Sequence, residues 1–456
     1  MTIHSDWSRI LHEECPAAFS KRPPIARMDI GIIDGHLQLM RLDTRMGTWE
    51  CFIRNQFLKP IQTLFQQGCP RVVLCFDNYS AVPSYKSMTQ LSRTGRHHQQ
   101  EIKVFSAHDS LPSEIPEDPM LYLMNRNFKL KLIEMLCERI PVLVQLAQGQ
   151  EFILDYKRVV SYTFTHPKIP VLVKDMEPMG ESDVKFCRYV TKYGNALVHA
   201  IDGDYMAIAL LYYTQHDLRD TNKIFIYRQL SVLQSTSSTV TAKNKRKRDA
   251  DLVFFNPVEQ EPAKRPKCWV NMQMLYAVVA NAMRQSKYHE SINPATGCFY
   301  TDRDAVFSAV YLMLCAGTDF SRNIPLLGPK RMWDALPLIC APLLQAVRGE
   351  PRLNERRFLN LVIARMYAIN FKKHTAEINS MQGVLDSLHR SKLSDSTKQK
   401  LPSHERLVAT LRNLNWVVEY WSMENGSVET PSDGQYGFAI DSTTGNMTFV
   451  DLAPSP

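Results

Sequence analysis

Residues 28–34 read MDIGIID, an apolar run of strand length, rich in β-branched isoleucine, that stops on an aspartate. Three further runs have the same form: RVVLCFD at 71–77, IPVLVKD at 169–175 and ALVHAID at 196–202. A fifth, KIFIY at 223–227, lacks the closing acid. Between them, Thr48 to Gln67 and Asp183 to Tyr193 carry apolar residues at helical spacing. Strands that are apolar on both sides and alternate with helices predict an α/β fold, with a central, mostly parallel, twisted sheet and helices on both faces. In such sheets the functional groups gather at the carboxyl edge, where Asp34, Asp77 and Asp202 are expected. Any one terminal aspartate is more often a helix cap or a turn residue. Three in one sheet ask for a further reason.

Beyond the strands, Asp304 to Cys315, Glu355 to Lys373 and His404 to Trp421 read as amphipathic helices, so residues 346–456 are expected to be mainly helical. Phe128 to Ile140 is a further helix, with Lys129, Lys131 and Arg139 among apolar residues. It could thread a single strand or simply pack on the core. Residues 235–267 break the pattern with a Ser/Thr-rich run, then KNKRKR (Lys243 to Arg248) and a second basic cluster at Lys264 to Lys267. An inserted loop is expected there. Its clusters fit nuclear import or nucleic-acid contact, set against a plain solvated charge run.

The bulk numbers bound these readings. Of 456 residues, 45% are hydrophobic and 22% charged, the balance of a globular chain rather than a disordered one. That length suits one large α/β domain with additions, or two domains. The longest apolar stretches fall short of the roughly 20 residues a membrane span needs. Acidic residues stand in Met1 to Ser20 where a signal peptide would be apolar, so an intracellular chain is expected. Ten cysteines without a CxxC pair propose neither a zinc knuckle nor a disulfide framework. The net charge of +8 mildly favours a polyanionic partner without proving one.

Two close pairs of acids join the strand-end aspartates. Glu181 and Asp183 (GESD) open a helix, Asp202 and Asp204 (DGD) follow a strand, and Asp319 stands in CAGTDF. Gathering so many carboxylates is costly unless protons or cations neutralise them. Hard oxygen donors favour Mg²⁺ or Mn²⁺ over zinc. Two such ions, roughly 3.5 to 4 Å apart, activate water and stabilise the leaving oxygen of a phosphodiester displacement.

With its acidic blocks in the order IDGH, FDNY, ESD, DGD and GTDF, residues 1–345 resemble the flap endonucleases and related structure-specific 5′-nucleases. The resemblance implies a PIN-like core in which Asp34, Asp77, Glu181, Asp183, Asp202, Asp204 and Asp319 hold two Mg²⁺ or Mn²⁺ ions. It further implies that Lys86 and Arg93, seven residues apart on one helix face, act on the scissile phosphate, with Arg96 continuing that face. SRNIPLLGPKRMWDAL looks like the family's helix-hairpin-helix, spanning about residues 315–335, with Gly328, Lys330 and Arg331 at the phosphate-holding places. Residues 97–168 correspond to the family's arch or clamp.

The chain also departs from the pattern. Thr2 and Ser5 replace N-terminal glycines, Met40 stands where an aromatic residue is usual, Asp183 replaces a glutamate, and Leu326 replaces the first hairpin glycine. No sliding-clamp-binding peptide of the form QxxLxxFF is evident. The resemblance therefore implies a Mg²⁺-dependent nuclease acting on DNA flaps, junctions or 5′ ends in replication, repair or recombination. Two alternatives remain open: an RNA-directed nuclease of the same superfamily, and a catalytically silent nucleic-acid-binding scaffold.

Overall fold

Strand β2, Ile30–Asp34, sends its side chains alternately into two separate cores. Ile30 and Ile32 enter one and Ile33 the other, each fully buried, which stabilises the fold by about 1.5–3 kcal/mol per side chain. A computed structural model describes residues 4–24, 27–78, 104–165, 168–176, 180–200, 203–216, 222–229, 267–293, 296–317, 323–347, 353–371, 380–422, 438–440 and 447–449.

The alternation repeats across the sheet. In β3, Arg71–Cys75, Val73 and Cys75 face the first core and Val72 and Leu74 the second. In β4, Glu151–Asp155, Ile153 faces the first, and Phe152 and Leu154 the second. Two more strands, β7 (Ala196–His199) and β8 (Ile224–Gln229), run parallel beside β2 on its other flank. The resulting order is β1-β9-β8-β7-β2-β3-β4-β5-β6, completed by β1 (Phe19–Ser20), β5 (Val159–Thr163), β6 (Val171–Leu172) and β9 (Lys267–Asn271).

The fold is thus α/β, with helices on both faces, but the sheet is mixed. Strands β8, β7, β2, β3 and β4 pair in parallel, whereas β9 and β1 on one side, and β5 and β6 on the other, pair antiparallel. The helices Ser182–Tyr193, Asp204–Gln215 and Met272–Arg284 cover the first face, and Asp302–Leu314 and Pro329–Val347 pack outside them in the same core. The second is covered by Trp49–Ile53 and Lys59–Gln66, joined through a π turn at Arg54–Leu58, and by Arg126–Leu143. Among the described residues no helix is long and apolar enough to cross a membrane.

One expected strand is corrected. Of IPVLVKD only Val171–Leu172 is extended, both residues are exposed, and they form the antiparallel edge of the sheet. Asp175 then lies at the surface, bonded to Lys192 at 2.6 Å. The fifth parallel strand is instead EFILD, β4, whose closing acid is Asp155. An apolar, β-branched run fits an edge strand as well as a central one, because that composition reports only a pleated surface.

Residues 97–168 contribute β4, β5 and the Arg126–Leu143 helix to this sheet and its cover, the helix through Phe128, Leu132, Ile133, Leu136 and Ile140. Beyond residue 346, the helices Glu355–Phe358, Ala364–Asn370, Met381–His389 and His404–Ser422 join the first core. Asn415 fastens them: it accepts from the Leu353 amide at 2.8 Å and donates to the Leu353 carbonyl at 2.9 Å. A short hairpin, Phe438–Ile440 with Met447–Phe449, follows.

Candidate functional site

Asp34 closes β2 and immediately caps the Gly35–Leu39 helix, its Oδ1 accepting from the amides of His36 at 2.9 Å and Leu37 at 3.2 Å. Gly35 is dictated by the neighbouring strand, since a Cβ there would lie 2.6 Å from the Phe76 ring and 2.8 Å from the Cys75 carbonyl. The ends of β2 and β3 can therefore close on each other. Asp77, two residues past β3, is buried; its Oδ1 accepts from the Ser182 amide at 2.8 Å, and its Oδ2 faces His36 Nδ1 at 3.5 Å.

Ser182 is where these distant segments meet. Its hydroxyl lies 3.4 Å from Asp34 Oδ1 while its amide serves Asp77, and beside it the Asn78 amide donates to the Gly180 carbonyl at 2.6 Å. Ser182 opens the Ser182–Tyr193 helix, so its amide has no partner within the helix and sits at the positive end of the helix dipole. Glu181 and Asp183 flank it, both buried; Glu181 holds the cap position without making a side-chain capping bond. Segments 34, 77 and 181–183 are thus brought to one helix N-terminus. That end favours each nearby anion by about 0.3–1 kcal/mol, which offsets only part of the repulsion among buried carboxylates.

A second ionic group lies next to the first. Asp155, fully buried at the end of β4, accepts from Lys185 Nζ at 2.8 Å, Arg188 Nη2 at 3.0 Å and the Tyr189 hydroxyl at 2.8 Å. Lys185, also fully buried, donates in addition to the Phe76 carbonyl at 2.7 Å. Burial, and after it the charge of Asp155, pushes the Cys75 thiol well above its ordinary range. The Cys75 side chain itself faces the first core.

Asp204 opens the Asp204–Gln215 helix and is buried. That helix runs alongside Ser182–Tyr193: Phe186 stacks on Tyr205 with ring centroids 5.4 Å apart, and Thr191 Oγ1 lies 3.3 Å from the Tyr212 hydroxyl. The first turns of the two helices are therefore neighbours. Asp204 also lines a small cleft with Gly203, Trp7 and Gly317. Gly317 has φ +95°, and a Cβ there would meet Asn323 at 3.0 Å, so glycine is required. The N-terminal helix His4–Glu14 brings Trp7 to this cleft.

No family model matches the chain, and no curated protein does. The site therefore rests on its own chemistry. Among the described residues no three His, Cys, Asp or Glu side chains come together as a group able to hold a metal ion. Asp202, Asp319, Lys86, Arg93 and Arg96 lie outside the described residues, as do residues 230–266 with the Lys243–Arg248 cluster and most of the second basic cluster. What is described is a set of buried oxygen donors: Asp34 and Asp77 both meet Ser182, with Glu181 and Asp183 on either side of it in the chain.

Leu326 adopts φ +64°, the left-handed region that favours glycine. The turn is held from outside: Arg331 Nη1 donates to the Leu326 carbonyl at 3.0 Å and the Tyr367 hydroxyl to the Pro325 carbonyl at 2.6 Å. Lys330 bonds Asp334 at 2.7 Å and lies 3.5 Å from Glu14; the Asp334 bond raises its pKa. Gly328 meets nothing within 4 Å, so sterics do not demand glycine there.

Sequence reasoning missed Asp155, Lys185, Arg188 and His36. EFILD carried the same signal as the other strands, an apolar run ending in an acid. Nothing comparable marks Lys185 or Arg188, because a lysine and an arginine three apart on a helix normally read as a solvated face.

Proposed function

We propose that the chain is a divalent-metal-dependent, structure-specific 5′-nuclease of flap-endonuclease type, with a PIN-like core, that hydrolyses phosphodiester bonds at DNA flaps, junctions or 5′ ends. The observation that carries this reading is Ser182, which bonds Asp77 through its amide and Asp34 through its hydroxyl while standing between Glu181 and Asp183. Acids from three separate segments thereby share one helix N-terminus at the carboxyl edge of the parallel strands.

In this reading Asp34, Asp77, Glu181, Asp183, Asp202, Asp204 and Asp319 hold two Mg²⁺ or Mn²⁺ ions. Such ions supply an activated water and charge stabilisation at the leaving oxygen. The chain's own residues do the rest. The Ser182 amide orients Asp77, the His36 and Leu37 amides orient Asp34, and burial keeps competing water from the carboxylates. Lys86 and Arg93 neutralise charge on the phosphate, and Arg96, Gly328, Lys330 and Arg331 grip the duplex backbone.

A panel of 5′- and 3′-labelled flap, nicked, junction and single-stranded substrates, in DNA and in RNA, tests this under Mg²⁺ and Mn²⁺ titration. Metal-dependent cleavage that favours a 5′ end or junction is the expected result. Cleavage confined to the RNA arm transfers the same site to an RNA-directed nuclease. No cleavage anywhere in the panel leaves a binding scaffold and sinks the proposal.

A further inference from the structure

We propose that Lys185 is a positioning residue for the Asp77 carboxylate, an inference that rests on the nuclease reading. Three pins hold the short run Phe76 to Asn78, and all three belong to residues 180–185. Lys185 Nζ takes the Phe76 carbonyl at 2.7 Å, the Ser182 amide takes the Asp77 side chain at 2.8 Å, and the Gly180 carbonyl takes the Asn78 amide at 2.6 Å. From the other side, the Phe76 amide donates to the Asp155 carbonyl at 2.8 Å, and Asp155 Oδ1 also accepts from Lys185 at 2.8 Å. Asp77 is therefore located relative to Glu181 and Asp183 by the very segment that carries those acids.

Helical spacing builds this arrangement. Ser182, Lys185, Arg188 and Tyr189 recur at three- and four-residue intervals, so one stripe of the helix faces the strand ends. The first residue serves Asp77 and Asp34, the second Phe76 and Asp155, and the last two Asp155. A fully buried ammonium is a poor device for stability, because apolar residues of similar volume often do as well or better. What Lys185 supplies is a fixed point for a loop whose carboxylate would otherwise yield to repulsion from its neighbours. Groups that orient metal ligands in this way typically change metal affinity or activity by about 10- to 100-fold when removed.

The test uses the full chain in three variants: Lys185→Met, Tyr189→Phe, and Leu388→Ala as a control that destabilises a buried site in the C-terminal helices. Two quantities are read: hydrogen exchange of the Asn78 and Ser182 amides in metal-free protein, and the Mn²⁺ dissociation constant by calorimetry. In Lys185→Met the two amides should lose protection relative to amides of β7, and Mn²⁺ should bind about 10- to 100-fold more weakly. Leu388→Ala should move neither. Should Lys185→Met fail to fold, Tyr189→Phe withdraws one donor from Asp155 while leaving each charge paired, and a several-fold change in both readings is expected. A folded Lys185→Met, or failing that Tyr189→Phe, with wild-type protection and wild-type Mn²⁺ affinity overturns the inference and leaves the nuclease reading standing. If the wild type takes up no Mn²⁺, the nuclease reading falls by itself, and the exchange readings decide Lys185: retained protection overturns its positioning role, and lost protection upholds it.

Discussion

Asp77 and Asp155 leave neighbouring parallel strands at the same edge of the sheet, yet they meet opposite surroundings. Asp155 is enclosed by an ammonium, a guanidinium and a phenol, from Lys185, Arg188 and Tyr189. Asp77 is met by a backbone amide from Ser182 and faces the His36 ring. One carboxylate completes an internal salt network; the other shares a helix N-terminus with Asp34, Glu181 and Asp183. Standing at the carboxyl edge therefore does not by itself make an acid functional. The partners separate a structural acid from a candidate ligand, and Ser182, Lys185, Arg188 and Tyr189, which donate to these two acids, stand on a single helix.

Stability gives the largest expected contrast. Asp155→Asn takes the carboxylate charge away from the fully buried Lys185 ammonium, and from Arg188 beside it, and should cost about 3–5 kcal/mol, read as the urea midpoint and slope. Asp77→Asn should leave the midpoint unchanged or raise it, since the amide oxygen can still accept from Ser182 and one charge leaves a crowded site. A loss at Asp77 as large as that at Asp155 would break the comparison.

Activity should run the other way. Asp77→Asn is expected to lower Mg²⁺-dependent cleavage by more than about 100-fold, beyond the range typical of groups that merely orient a ligand. Changing Lys185→Met together with Asp155→Leu should then cost less stability than the two single changes summed, because the ammonium and the carboxylate leave together and only the Arg188 guanidinium keeps its charge beside the altered pair. A double variant as unstable as the two single losses summed would mean that packing, rather than charge pairing, dominates the network.

Much of the fold was legible in the sequence because it depends on periodicity. The runs at 28–34, 71–77 and 196–202 became neighbouring parallel strands, and helices at 182–193, 302–314 and 404–422 fell within a residue or two of their apolar patterns. Sheet position was not legible. IPVLVKD and EFILD look alike as strings, yet one forms an exposed edge and the other a central strand, since pairing partners lie far away in sequence. Asp34, Asp77, Glu181 and Asp183, which come to one helix N-terminus, could be singled out because residue type announces them, while Asp202 and Asp319 lie outside the described residues. Lys185 could not, because its burial follows from where β3 and β4 end, which no local pattern encodes.

The finest division of the comparison lies inside Ser182. Its hydroxyl reaches Asp34 at 3.4 Å, a long contact, so Ser182→Ala should cost less than about 1 kcal/mol and leave the amide bond to Asp77 in place. Ser182→Pro probes the amide. Proline is tolerated at the first helical position, and Glu181 before it already has the extended backbone, φ −97° and ψ 139°, that a following proline requires. The helix should therefore persist by circular dichroism while the ring displaces the proton that Asp77 accepts. If the amide orients Asp77, the proline variant binds Mn²⁺ more weakly than the alanine variant at equal helicity. Equal affinities for the two would show that Asp77 is held by Lys185 and the strand end rather than by the helix N-terminus.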